Sequence, residues 1–411
     1  MKNEKLKKIF EKIDSYREEV IYLEEELTKR PAISPENGGK GELKKALFVE
    51  EYLKRIGVKE IKRYDAKDER AEGGIRPNIV AEIPGERTDR KVWIMSHLDV
   101  VPPGDLNKWK TDPWKIKVDG DRIYGRGTED NQQGIVSSLL VAKAFLETGI
   151  KPLYTLSLLF VSDEELGSNY GIKYLLENYT LFNKEDIIVV PDGGEPDGSM
   201  IEVAEKGILW IKFTISGRQT HASTPERGIN AHKAGARLIT KLDTLYKLFP
   251  DKDELFDPPI STFEPTKKEK NVPAVNIIPG EDIFYFDCRI LPKYSFKEVI
   301  KEVERFVKEV EQEHNVKISL EFPQREEPAP ATPPDSLVVK KLKKAIKAVY
   351  NVEAKPMGIG GGTVASYIRK KGFHTAVWAR MDETMHSPNE YALIPNIIGD
   401  AKVFAYICLE E

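Results

Sequence analysis

The stretch Val92-Trp93-Ile94-Met95-Ser96-His97-Leu98-Asp99 sets the reading of the chain. Its first four residues are apolar at every position, as a strand is when both faces of a parallel sheet are covered. Its last four carry a histidine and a carboxylate to the strand's carboxyl end, the edge where open α/β sheets gather their active groups. Outward from here the pattern repeats. Residues 78–83, 156–161 and 187–190 are further short apolar runs, and helical stretches separate them at 134–146 and 170–178. Strands alternating with helices predict an α/β sheet with helices on both faces.

Upstream, Ile9, Phe10, Ile13, Tyr16 and Val20 recur at helical spacing, so residues 1–30 read as a surface helix. A loop at 32–40 leads to a second amphipathic helix at 42–56. Downstream, the pattern changes near Lys206-Gly207. Residues 208–216 and 283–291 alternate, with Phe284, Phe286, Cys288 and Ile290 on one face and Tyr285, Asp287 and Arg289 on the other. With helical stretches at 231–248 and 296–313, this predicts a small antiparallel sheet covered by helices on one face. The Pro-rich stretch 327–334 returns the chain to the first pattern, which resumes through 337–350, 358–362 and 375–379. The expected organisation is a first domain built from 1–206 and 327–411, with a second inserted at 207–326. The expected fold class is α/β, a mixed and mostly parallel sheet flanked by helices, with an α+β insertion.

A chain of 411 residues is long for one core, which agrees with two domains. Hydrophobic residues at 40% and charged residues at 32% exclude a disordered chain. A formal net charge of -4 does not recommend nucleic acid or an anionic membrane as a partner. Cys288 and Cys408 cannot make a disulfide framework and fit a reducing compartment. The charged N-terminus is unlike a secretory signal, and no apolar run approaches the roughly 18 residues that span a bilayer. A soluble, cytoplasmic protein is expected. Abundant Lys and Glu with only five Gln match a heat-adapted composition.

Reading each strand to its end yields His97 and Asp99, then Asp163-Glu164-Glu165, then Asp192, with Asp130 ahead of the helix at 134 and His386 after the last strand. Histidines and carboxylates converge on one edge without a cationic cluster, and bound divalent metal resolves that imbalance. Two ions bring about +4, against about −4 from three carboxylates and a shared hydroxide. Alone, a His-x-Asp is an ordinary polar pair and a Glu-Glu pair a solvated helix start. Their succession at strand ends is what points to a metal site.

The motifs Ser96-His97-Leu98-Asp99-Val100-Val101-Pro102, Tyr124-Gly125-Arg126-Gly127 with Asp130, Asp163-Glu164-Glu165-Leu166-Gly167-Ser168, Asn276-Ile277-Ile278-Pro279-Gly280, Asp287-Cys288-Arg289-Ile290-Leu291-Pro292 and His386-Ser387-Pro388-Asn389-Glu390 carry a resemblance. The chain resembles, from about residue 15 to its end, the dinuclear zinc hydrolases that include acetylornithine deacetylase, succinyl-diaminopimelate desuccinylase, carboxypeptidase G, aminoacylase and carnosinase-like dipeptidases. The resemblance implies that His97 and Asp192 bind one ion, His386 and Glu165 the other, and Asp130 bridges them. It makes Glu164 the general base and Asp99 the residue that orients His97. His221 becomes a donor to the developing oxyanion, often across a dimer interface, although without the family match a capping or surface histidine is the plainer reading. Asn276 and Arg289 match positions that hold a substrate carboxylate, with an intrasheet salt bridge to Asp287 as the alternative for Arg289. Gly362 and Thr363 match a turn that approaches the substrate. The inserted domain is by resemblance a lid and dimerisation domain, and a homodimer is implied.

Two departures stand out. Val364 occupies a position that is acidic in many members. Asp192 is more usual in dipeptidase-like members, whereas deacylases carry Glu there. Gly358-Ile359-Gly360-Gly361-Gly362-Thr363 is a poor dinucleotide motif, since the nearest downstream acid is Asp382. The expected function is therefore hydrolysis of the amide bond of a dipeptide or N-acyl amino acid by a bridging hydroxide on two metal ions. Zinc is expected, and cobalt or manganese suit the same donors. The alternatives are a non-catalytic amino-acid or peptide-binding relative and a nicotinamide-dependent dehydrogenase.

Overall fold

A computed structural model describes residues 2–410, and the chain divides into two compact units. The first comprises Met1–Val203, Thr332–Met357 and Tyr367–Glu411; the second comprises Ala204–Ala331 and Gly358–Ser366.

An eight-stranded sheet dominates the first unit. In chain order its strands are β1 (Glu60–Arg63), β2 (Ile79–Ile83), β3 (Arg87–His97), β4 (Tyr154–Val161), β5 (Ile187–Val190), β6 (Met200–Glu205), β7 (Lys355–Ile359) and β8 (Thr375–Val377). In space they run β1-β2-β4-β3-β5-β8-β6-β7. The middle four, β4-β3-β5-β8, are mutually parallel. Antiparallel pairs flank them, β1 with β2 and β2 with β4 on one side and β6 with β8 on the other. The apolar run in β2 gave no sign of its direction, because a strand covered on both faces is apolar whichever way its neighbours run.

Helices flank the sheet. Gln133–Thr148 and Ile394–Leu409 pack against each other and are buried around most of their circumference. The N-terminal helical stretch is two helices, Lys2–Asp14 and Arg17–Thr28, interrupted where the Ser15 hydroxyl donates to the Lys12 carbonyl. Ile9, Ile13, Val20, Leu23 and Leu27 are wholly buried while Lys8, Glu11 and Glu18 are exposed, the one-sided burial of a surface element packed through its apolar face. No helix among the described residues is long and apolar enough to cross a membrane.

The second unit holds a four-stranded antiparallel sheet in the order Thr262–Lys268, Glu281–Ile290, Gly207–Ser216, Lys317–Glu326. Alternation does its expected work here. Leu209, Ile211, Phe213 and Ile215 join Phe284, Phe286, Cys288 and Ile290 in one core with the helices Ala231–Leu242 and Phe296–His314. The glycine-rich turn Gly358–Ser366, expected with the flanking catalytic segments, belongs to this unit instead. The Gly358 N–H donates to the Leu255 carbonyl, and a Cβ at Gly358 would lie 2.3 Å from the Phe256 ring. Only glycine fits that approach.

Candidate metal centre

Because the middle strands are parallel, their carboxyl ends share one edge of the sheet. His97 is the last residue of β3, Asp163-Glu164-Glu165 follows β4, and Asp192 follows β5. Asp130 lies in the irregular turn Thr128–Gln132, where its φ of −117° and ψ of 95° are not helical, so its carboxylate leaves the path of the helix beginning at Gln133. His386 sits in the loop after β8 with a left-handed φ of 59°.

These positions form two donor triads, His97-Asp130-Asp192 and Asp130-Glu165-His386, each with ligand atoms within 4.8 Å of one another. Asp130 belongs to both. Its Oδ1 lies 2.8 Å from His97 Nε2, and its Oδ2 lies 3.1 Å from His386 Nε2. Asp192 Oδ1 is 3.4 Å from His97 Nε2, and Glu165 Oε2 is 3.0 Å from His386 Nε2. Two imidazoles and three carboxylates are the hard and borderline donors that suit divalent ions. Glu165 Oε1 supplies an independent indication, since it is buried with no hydrogen-bond partner among the described residues. A polar atom in that position incurs a desolvation cost that a cation would remove.

The electrostatics agree. Burial together with Asp130 pushes the Glu165 carboxyl up to about 7. Burial opposes a charge on His97, but Asp192, Asp130 and Asp99 outweigh it and raise its pKa well above the usual imidazole value. Hydrogen bonds to Asp130 and Glu165 lift His386 to about 10. Burial, and then the nearby Asp192, raise the Glu164 carboxyl well above its ordinary value. The edge carries more negative charge than its histidines neutralise.

Supporting contacts fix these groups. His97 Nδ1 lies 3.0 Å from the main-chain carbonyl of Asp99 and 3.4 Å from its carboxylate. A proton on Nδ1 donated to that carbonyl leaves the Nε2 lone pair facing Asp130 and Asp192. The Asp99 carboxylate instead accepts the N–H groups of Glu164 and Glu165, each at 3.0 Å. It thus holds the turn that lets these consecutive acids avoid the opposite faces a strand would impose. The Glu164 carboxylate accepts no hydrogen bond from the described residues. Below the turn, buried Glu42 accepts from Arg76, whose guanidinium also reaches Asp163 at 3.5 Å.

Several fixing residues were given no role in the sequence reading, Glu390 among them although it stands in a quoted motif. Asn131 donates to Asp192 Oδ1 at 2.8 Å and to the Pro191 carbonyl at 2.6 Å. Glu129 and Glu390 bind main-chain amides around Asp130 and His386. Such contacts join residues up to 263 positions apart and leave no periodic trace in the sequence.

The remaining expected site residues lie in the second unit. His221 Nδ1 is 2.7 Å from Ser223 Oγ, and its Nε2 is 3.5 Å from Asn276 Nδ2. The short strands Thr220–His221 and Ile277–Ile278 bring that pair together. Arg289 is bound bidentately by Asp287 at 2.6 and 2.9 Å and donates to the Gly360 carbonyl at 2.9 Å. Asp287 also accepts from Trp210. The intrasheet salt bridge is therefore present, and it aims the guanidinium at the turn containing Gly362 and Thr363. The Thr363 hydroxyl donates to Glu205 at 2.7 Å.

Fold and donor set together are those of the metallohydrolases. The chain belongs to peptidase family M20/M25/M40, whose model matches residues 93–410. It is 44% identical over 405 residues to an uncharacterized metallohydrolase of Methanocaldococcus jannaschii, covering 94% of this chain and 98% of that one. A succinyl-diaminopimelate desuccinylase of Nautilia profundicola is 30% identical over 398 residues, 95% of this chain and 99% of its own. Human carnosine dipeptidase 1 shares the fold with a TM-score of 0.72 at 21% identity, over 98% of both chains.

Proposed function

We propose that this chain hydrolyses the amide bond of a small amino-acid derivative, a dipeptide or an N-acyl amino acid, using two divalent cations held by His97, Asp192, Asp130, Glu165 and His386. The observation that carries this reading is the pair of donor triads sharing Asp130. When bound, such ions supply Lewis acidity toward the scissile carbonyl and lower the pKa of water.

The chain's own groups then have distinct duties. Glu164, whose carboxylate is committed to no donor among the described residues, takes the proton of the attacking water and returns it to the leaving nitrogen. Asp99 keeps Glu164 and Glu165 in their turn and His97 in its tautomer. His221 donates to the carbonyl oxygen as charge develops there. Arg289 and Asn276 receive the substrate carboxylate, and Gly362 and Thr363 contribute main-chain and hydroxyl contacts. The desuccinylase and dipeptidase relatives support a substrate of this size and polarity, and Asp192, shorter than Glu by one methylene, favours the dipeptide. Zinc is the proposed ion, a cytoplasmic homodimer the proposed form, and the inserted unit the proposed lid and dimerisation domain.

The test is a substrate panel on zinc-loaded protein: succinyl-diaminopimelate, acetylornithine and a set of dipeptides, with release of free amine as the signal. Cleavage of at least one class, lost on chelation and restored by zinc, is the expected result. Stoichiometric substrate binding without turnover across the panel would favour the non-catalytic relative and overturn the proposal.

A further inference from the structure

Two buried carboxylates near the donor triads take no part in the duties assigned above. Glu390 is wholly buried. Its Oε1 accepts the N–H groups of Glu129 at 3.0 Å and Asp130 at 3.1 Å. Its Oε2 accepts the Gly127 N–H at 3.0 Å and the Arg126 guanidinium at 2.5 Å. Glu129 is wholly buried too. Its Oε1 accepts the Asp382 N–H at 2.5 Å, and its Oε2 accepts the Thr384 main-chain N–H and, at 2.7 Å, the Thr384 hydroxyl.

The exchange is reciprocal. Glu390 stands four residues after His386 and grips the main chain of Asp130, while Glu129 stands one residue before Asp130 and grips the main chain two residues before His386. We infer that Glu129 and Glu390 are positioning residues forming a two-way clasp that sets the spacing between Asp130 and His386, and hence the geometry of the metal position formed by Asp130, Glu165 and His386. The inference rests on the reading of Asp130 and His386 as metal ligands.

Two further observations support it. The loop carrying His386 contains three side-chain-bearing residues in left-handed backbone, Glu383 at φ 58°, His386 at 59° and Asn389 at 63°. Such residues persist only where surroundings over-determine them, and at Glu383 the Glu129 carboxylate supplies that determination by binding the main-chain N–H groups on either side, those of Asp382 and Thr384. Moreover, Glu129 is bound among the described residues by main-chain amides and a hydroxyl alone. A carboxylate buried without a cationic partner is costly relative to an apolar group of similar size, so its cost is offset only by what it holds in place.

The clasp makes unequal predictions for its halves. Glu129→Gln preserves shape but turns an NH2 group toward N–H donors, freeing the His386 loop. In zinc titration of the metal-free chain by calorimetry, it should weaken one of two binding events about 10- to 100-fold and leave the other in place. Glu390→Gln loosens the shared ligand Asp130 and should weaken both events. Amide hydrogen exchange should quicken at Asp382 and Thr384 in the first variant and at Glu129 and Asp130 in the second. Unchanged zinc affinities and exchange in Glu129→Gln, or identical weakening by both variants, would overturn the clasp. If Glu129→Gln fails to fold, Thr384→Val removes one donor and should weaken the same single event, and an unaltered titration would again overturn it. Wild-type protein taking up fewer than two zinc ions would refute the two-ion reading itself, while exchange at Thr384 would still decide the clasp.

Discussion

Glu164 and Glu165 are consecutive acids whose carboxylates meet different surroundings. Glu165 Oε2 lies 3.0 Å from His386 Nε2, whereas Glu164 is left to burial and the field of Asp192. A group that moves a proton needs an uncommitted oxygen, and a ligand does not. Glu164→Gln should therefore lower turnover by about 10²–10⁴-fold with both metal ions retained, measured by steady-state rate and metal analysis on one sample. Loss of an ion with the activity would show that Glu164 is a ligand. The carboxyl end of each strand made His97, Glu165 and Asp192 legible, because apolar runs mark where strands stop. The carbonyl of Asp99 as the partner of His97, and Asn131 as the tether of Asp192, were not legible. A main-chain acceptor and a side chain reaching across 61 residues carry no signature of composition or spacing.

At the scale of elements, periodicity succeeded where one face is buried and lost detail where both are. The second unit's alternation identified its inward face residue by residue, and its helix Phe296–His314 begins at a Ser295–Glu298 capping box. Removing that cap with Ser295→Ala should destabilise the unit by about 1 kcal/mol, read from hydrogen exchange of the helix amides rather than from a whole-chain transition. Equal exchange in both proteins would mean that tertiary packing alone sets the helix end. The fully apolar runs of the first unit identified strands but neither their order nor the antiparallel margins, since hydrogen-bond direction leaves no mark on side-chain polarity. The glycine-rich turn was misplaced for a related reason. Its contacts to Leu255 and Phe256 are long-range, and its place between the runs 337–350 and 375–379, where the α/β pattern resumes, suggested the first domain.

Across the whole molecule, buried ionisable groups couple stability to pH. Asp400 is fully buried and accepts from Gln133, Tyr350 and the Arg380 N–H, and burial raises its carboxyl to about 7. Between its ordinary value near 3.8 and 7, the folded chain keeps a proton that the unfolded chain has released. Its contribution to stability is therefore greatest below about 4 and declines as pH rises to 7. Asp400→Asn keeps one acceptor oxygen for the Gln133 and Arg380 N–H groups and turns an NH2 toward the Tyr350 hydroxyl, which can donate to the Asn396 carbonyl instead. Because it carries no charge, its stability relative to wild type in denaturant unfolding should rise from pH 4 to pH 7. A difference independent of pH would place the titration elsewhere.

The central claim is that one sheet edge holds two cations about Asp130. Anomalous diffraction from zinc-loaded crystals tests it most directly. Two peaks about 3.5–4 Å apart are expected, one beside His97 and Asp192 and the other beside Glu165 and His386, with Asp130 between them. A single peak, or zinc bound away from Asp130, would contradict the account.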